Sequence, residues 1–491
     1  MSISEKHWFF FAFLIYSVVA WFSVGHYHDD EYYQILDFAA YKLGFEMQNT
    51  VMWEYKEGVR SGLQPFIAYV VAKGLTFIDV TSPFIWAFYL RLISLIISFI
   101  SVFAFFQIIK RDIKTDRTQT LVLFFLLFSW ILVFLNVRFS SEGWATSLFI
   151  LAYALYFFQE SEKTKKYFFI GMLLGLAFLS RYQIGFFILG FGMWLLLQKS
   201  EKISNIWLII LGFIASLSIG ILLDYWLYGK LTLSSWNYFE WHIMKGSIDN
   251  LTEPWWFYIY YSMVQLIPPI TLFVPLIIAV FWILFPRHPI TWITIPFILF
   301  HHYFGHKEMR YLFPVIPFLP IMFAMSIEDL IKRFKYLNKN VFKYLCQSVI
   351  YISVFVNIIL VLLTITLPAS KEVALWQNCF SKNISSESVL LTYDPDGSGS
   401  TTGELELDFY NVNNVPIISV SDEEEIFTKK IEFPGKQLFY AARKKGRAPE
   451  LASKGISNQL ICQGLPEWIL KFNINNWTSR ASIWQIWEIK K

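Results

Sequence analysis

Charge is scarce in this chain. Only 16% of its 491 residues are Asp, Glu, Lys or Arg, while 56% are hydrophobic, and a soluble domain could not hide that much apolar surface. Cysteine is scarcer still: Cys346, Cys379 and Cys462 show no metal-ligand spacing, which excludes a zinc module. An excess of one charge sign is also missing. The formal net charge of +4 is dispersed in short Lys and Arg clusters between apolar runs, as in cytoplasmic loops and unlike a nucleic-acid surface. Internal repeats are absent too, and a transporter built from inverted halves would show an echo of one half in the other.

What the chain has is long apolar runs. Residues 121–137, 206–223 and 349–367 approach or reach the length that crosses ~30 Å of hydrocarbon as a helix. The first run, with one Lys ahead of it and no small-residue cleavage site behind it, is expected to be a retained span over residues 7–25. Placing the charged loops 110–117, 160–166, 199–202, Arg287 and 332–343 inside predicts about eleven spans, an outside C-terminus and a large first external loop, 26–82. The stretch 167–197 reads as two crossings or as one helix interrupted at Ser180-Arg181-Tyr182-Gln183.

After residue 367 the composition turns polar. The sequence therefore predicts an all-α polytopic membrane region, 1–367, followed by a small soluble α/β domain, 368–491. Residues 388–392 and 415–420 read as strands, and Asp394-Pro395-Asp396-Gly397 as a turn. In an oxidising space Cys379 and Cys462 pair or remain two thiols; Cys346 reads as a small buried hydrophobe.

Three groups of residues carry possible chemistry. His26-Tyr27-His28-Asp29-Asp30-Glu31-Tyr32-Tyr33-Gln34 sets three carboxylates at the external boundary, where charge near hydrocarbon invites a functional reading. The plain alternative is a helix start, with Asp29 as cap and the acids in the first turn. Trp53-Glu54-Tyr55 and Arg60-Ser61-Gly62 form a second group, although interfacial aromatics serve as anchors in any membrane protein. The third is His306-Lys307-Glu308-Met309-Arg310-Tyr311. On one helical turn Lys307 and Arg310 would face an anionic phosphate together, with His306 beside them; snorkelling cations are the alternative.

Together these segments resemble glycosyltransferase family 22, the multispanning mannosyltransferases of GT-C type. His28, Asp30, Glu31 and Gln34 match its His-Pro-Asp-Glu-x-x-Gln pattern, with Asp29 in place of the proline. Trp53, Glu54, Arg60, Ser61 and Pro65 follow its next motif. His306, Lys307, Glu308, Arg310, Tyr311, Pro314 and Pro317 follow its His-Lys-Glu-x-Arg-Phe-x-x-Pro-x-x-Pro segment. Residues 224–229, Trp236-Asn237-Tyr238 and 254–258 are similar to further family loops.

The resemblance implies a polyprenyl phosphate mannose donor, a lipid-linked glycan acceptor and membrane lipids as surroundings. No nucleic acid or cofactor is expected, and with three cationic donors for the phosphate a metal ion is not required, although the acidic cluster leaves one open. It makes Asp30 the general base, with Glu31 beside it, and His306, Lys307 and Arg310 the donor-phosphate ligands. His28, Gln34, Trp53, Glu54, Arg60 and Glu308 become substrate-binding residues. Like charge on Asp29 and Glu31 would raise the Asp30 pKa toward a useful value. Three other readings stay open: a transferase of another lipid-linked sugar, a transporter or flippase of a lipid-linked substrate, and an inactive scaffold. The Ile, Lys, Phe and Asn richness and the terminal Ile489-Lys490-Lys491 favour a bacterial inner membrane over an endoplasmic reticulum membrane. The sequons at Asn250, Asn383 and Asn476 decide nothing between these compartments.

Overall fold

Helix formation follows the apolar runs, and among the described residues four helices are long and apolar enough to cross a membrane: Pro83–Ile109, Ile203–Tyr228, Met309–Arg333 and Tyr344–Thr366. The structure, a computed structural model, describes residues 3–47, 53–158, 163–245, 252–265, 269–334, 340–395, 398–443, 447–479, 481 and 483–490. Eleven spans are thus not established. One reason is that several apolar runs are divided: 121–137 becomes helices Asp116–Phe128 and Trp130–Leu135, separated at Ser129. The sequon at Asn250, residues 160–162 of the 160–166 loop and residues 335–339 of the 332–343 loop lie outside the described residues.

Packing sorts the chain into two units, one of residues 1–20, 57–64 and 90–365, the other of 21–56, 65–89 and 366–491. Most of the first external loop therefore packs with the C-terminal domain, a grouping that the change of composition at residue 367 does not show.

The first unit is helical. Lys163–Ser180 lies against Ile203–Tyr228 so closely that a Cβ on Gly171 would stand 1.9 Å from the Ile209 carbonyl oxygen and one on Gly212 2.0 Å from that of Phe168. Small residues at a helix contact let backbones approach in this way. After Ser180 the extended Arg181 and a short 3-10 turn redirect the chain into Gly185–Leu197, which packs on Pro289–Tyr303 instead. The 167–197 stretch is thus two helices with different neighbours. The break at Ser129 is satisfied by a buried side chain: Asn357 donates to the Phe128 carbonyl at 2.7 Å and accepts from the Trp130 N–H at 2.8 Å. Backbone groups freed inside an apolar layer need such a partner. Helices Ile203–Tyr228 and Tyr344–Thr366 expose Leu211, Ile214, Leu222, Tyr351, Phe355 and Leu362, the signature of faces solvated by lipid.

The second unit is built on a five-stranded sheet, β1 Ser388–Tyr393, β2 Ile417–Val420, β3 Gln437–Ala442, β4 Asn458–Gln463 and β5 Gln485–Ile489. Their order is β2-β1-β3-β5-β4, with β1 parallel to β2 and β3, and β5 antiparallel to β3 and β4. Central β1 is buried on both faces, as parallel strands are. One face of the sheet closes on Val389, Leu391, Leu438, Tyr440, Leu451 and Trp487. Cys379 and Cys462 form a disulfide, with Cα atoms 6.1 Å apart.

The same unit contains the acidic loop. Helix Asp29–Glu31 passes through a π turn, Tyr32–Leu36, into helix Asp37–Leu43, which Gly44 ends. Tyr33 donates to the Gly403 carbonyl at 2.7 Å, and the Tyr32 hydroxyl accepts from the Phe409 N–H at 2.9 Å. The loop is thereby fastened to the segment that follows β1.

Candidate active site

In the acidic loop the cap differs from the sequence-based alternative. His28, extended, caps the helix by accepting the Asp30 N–H on Nδ1 at 3.2 Å, which puts Asp29 at the first helical position. Asp29 is exposed, and His26, 3.5 Å away, holds its carboxyl below the usual range. The Asp30 side chain is 30% exposed and lies 3.6 Å from His28, whereas Glu31 is buried. One carboxylate of the pair is open and the next is packed. Gln34 and Glu54, both buried, meet through a 2.9 Å bond from Nε2 to Oε1, while Trp53 stays exposed.

Below this turn Asp37 and Asp408 are buried together with Tyr32. Burial, and then the charge of Asp408, push the Asp37 carboxyl well above the carboxylate range, although a Tyr32 hydrogen bond opposes them. Burial and Asp408 likewise push Glu406 up to about 7.

The cationic residues belong to the first unit. The Arg60-Ser61-Gly62 turn is fixed by Asp224, whose Oδ1 accepts the Gly62 N–H at 2.8 Å and whose Oδ2 accepts from Ser234. The Arg60 guanidinium lies over the Tyr238 ring, 5.5 Å from its centroid. His242 is pushed down to about 4 by burial, then by the charges of Arg60 and His306, so these three groups are neighbours.

Lys307 and Arg310 do not share a helical turn, because the chain is irregular from Phe304 to Glu308 and coils only from Met309. Lys307 turns inward instead, donating to the carbonyls of Glu253, at 3.2 Å, and of Phe304. Burial lowers its pKa, against the opposing charge of Glu253. Glu308 organises the rest. Its carboxylate takes Arg310 through two nitrogens, Nε and Nη2, the His306 Nε2 at 2.9 Å and the Tyr311 hydroxyl at 2.8 Å. This bidentate, charge-assisted clamp is the strong form of the interaction.

Sequence reasoning missed two members of the cluster. Glu142, buried at the start of helix Ser141–Phe157, lies 2.7 Å from Arg181 and 3.5 Å from Arg310. Arg181 lies over the Tyr311 ring at 5.1 Å, and Arg310 at 5.4 Å. The available signal was isolated charge at the ends of apolar runs, which in a membrane protein marks function by default.

Against known proteins, residues 8–378 match the model of the Alg9-like mannosyltransferase family. A GPI mannosyltransferase 3 of Debaryomyces hansenii is 25% identical over 350 residues, 67% of this chain and 60% of that protein. A GPI alpha-1,2-mannosyltransferase 3 of Bos taurus is 25% identical over 307 residues, 61% of this chain and 55% of that protein. The chain thus spans somewhat over half the length of these relatives. Neither supports the bacterial inner membrane favoured from composition. Among solved structures, ArnT from Cupriavidus metallidurans bound to undecaprenyl phosphate has a TM-score of 0.54 at 11% identity, over 98% of this chain and 97% of that one, a likeness of fold. With the family model covering most of the chain, the protein belongs to the Alg9-like mannosyltransferase family.

Proposed function

We propose that the protein is an inverting mannosyltransferase that moves mannose from a polyprenyl phosphate carrier to a lipid-linked glycan. The single observation that carries the reaction class is the family match over residues 8–378. The disulfide in the C-terminal domain suits an oxidising space, and the relatives' printed activity favours an endoplasmic reticulum membrane, with transfer on its luminal side.

In this reading Asp30, partly open on a capped turn, takes the proton from the acceptor hydroxyl. That oxygen attacks the anomeric carbon, the bond from this carbon to the phosphate oxygen breaks, and polyprenyl phosphate leaves. One displacement inverts the centre, so a β-linked donor gives an α-linked product. A positioned base of this kind contributes about 10²- to 10⁴-fold. Glu31 and His28 set the turn that presents Asp30, while Gln34, Trp53 and Glu54 line the acceptor side.

His306, Lys307 and Arg310 stabilise the leaving phosphate, with Arg60 assisting. Glu308 and Glu142 hold Arg310 in one orientation before any substrate arrives, and donors that need no reorganisation stabilise developing charge most effectively. The test is transfer of radiolabelled sugar by the purified protein into a membrane glycolipid extract. Label from polyprenyl phosphate mannose supports the reading. Label only from another lipid-linked sugar would refute the donor, and silence with every donor would refute the reaction class.

A further inference from the structure

Beside the Cys379–Cys462 disulfide the second unit has a cavity of about 690 Å³, within the roughly 300–1,000 Å³ of small-molecule sites. Part of its lining comes from the chain ends that meet the membrane: Trp21 and Phe22, both exposed, and Thr366, the last residue of an apolar helix long enough to cross. The rest comes from the π turn Trp376–Phe380, from β4 and from the short helix after it, Glu467–Lys471. The disulfide ties that turn to β4, with Cα atoms 6.1 Å apart. It thereby fixes the spacing of the residues next to each cysteine, Asn378 and Gln463.

The lining is two-sided in chemistry. Trp21 and Phe22 offer apolar surface, whereas Gln377, Asn378, Gln463 and Glu467 bring three amides and a carboxylate. No hydrogen bond links those four side chains to any described residue, so their donors and acceptors are left for water or a ligand. No Lys, Arg or His is among the described residues that line the cavity. A phosphate group would find no cation there, and an acyl chain would cover polar groups without satisfying them. Neutral hydroxyls suit the lining, because each donates to a carboxylate or amide oxygen and accepts from an amide N–H. A sugar presents several of them on one ring, with an apolar ring face for the aromatic side.

We propose that this cavity holds a neutral sugar of the lipid-linked acceptor, away from the sugar that receives mannose, with the lipid running past Trp21 and Phe22 into the bilayer. The inference rests on the glycolipid acceptor of the proposed reaction. Chain connection supports it. Val24, which also lines the cavity, accepts the Ala369 and Ser370 N–H groups at 2.8 and 3.1 Å. His26, two residues on, meets Asp29 in the acidic turn. One short stretch, residues 24–30, thus joins the cavity to Asp30, and a glycan gripped in the cavity is positioned relative to the base.

The test uses the full-length protein in phosphatidylcholine nanodiscs and tritiated octyl mannobioside, a neutral disaccharide on one chain. Saturable binding is expected, weakened about tenfold or more by the double change Gln463→Ala with Glu467→Gln, and by Asn378→Trp, which fills the cavity. Unfolding midpoints like that of the wild type separate lost binding from lost folding. Octyl phosphate should not compete. In transfer assays the same variants should raise the acceptor KM by about the same factor and leave the donor KM near its wild-type value. Unsaturable binding, binding that neither variant weakens, displacement by octyl phosphate as effective as by unlabelled probe, or an unchanged acceptor KM would overturn the proposal. Binding that depends on the cavity in a protein that transfers no sugar would refute the proposed reaction and leave the sugar site standing.

Discussion

The Glu142 carboxylate and the Arg181 guanidinium meet 2.7 Å apart, with side chains 3% and 6% exposed. Removing one partner of so deeply buried a pair strands the other, at a cost of about 3–5 kcal/mol. Glu142→Ala and Arg181→Met should each lower chemical stability in detergent by that order. The double variant should lose clearly less than the sum, and a double-mutant cycle measures the difference. Additive losses would show that the two charges do not depend on each other.

How much of this was legible in the sequence depended on distance along the chain. The acidic turn was visible because His28, Asp30, Glu31 and Gln34 are neighbours in sequence, and β1 and β2 showed as short runs ending at turn residues. The pairing of Glu142 with Arg181 was not visible, since it depends on which helices pack together. Neither was the break at Ser129, which Asn357 satisfies from another helix. Capping was misassigned locally: Asp is the commoner cap, but the imidazole Nδ1 of His28 accepts equally well in geometry. Lys307 and Arg310 have helical spacing, yet the segment around Gly305 is irregular and the lysine is drawn to backbone carbonyls.

Arg310 binds Glu308 through two nitrogens, a geometry that a lysine cannot reproduce. Arg310→Lys should raise the KM for the lipid-phosphate donor by about tenfold or more, equivalent to ~1.4 kcal/mol, and leave the acceptor KM nearly unchanged. Steady-state kinetics with each substrate varied in turn would show the split. An equal rise for both substrates would place Arg310 outside the donor site.

Closing a loop of 83 residues, the Cys379–Cys462 disulfide should stabilise the C-terminal domain by about 2–5 kcal/mol. Cys379→Ser is expected to lower its unfolding midpoint accordingly, and reductant should then have no further effect. A reductant-sensitive variant would contradict this, since only Cys346 and Cys462 would remain to pair.

Glu406, pushed up to about 7 by burial and then by Asp408, binds its proton more tightly in the folded state than in the unfolded chain. Folded protein therefore holds more protons between about pH 4.5 and 7, and stability falls as pH rises through that window. Unfolding midpoints at pH 5.5 and 7.5 should differ in that sense, and Glu406→Gln should flatten the difference. A midpoint that rises with pH by the same amount in both proteins would contradict this assignment.

The central claim rests on Asp30, and the most direct measurement is the transfer rate of Asp30→Asn beside wild type, with folding verified by its unfolding midpoint. The account expects a folded variant that binds the donor and loses about 10²- to 10⁴-fold in kcat. A folded Asp30→Asn that transfers mannose at the wild-type rate would contradict it and shift the search for the base to Asp29 or Glu31.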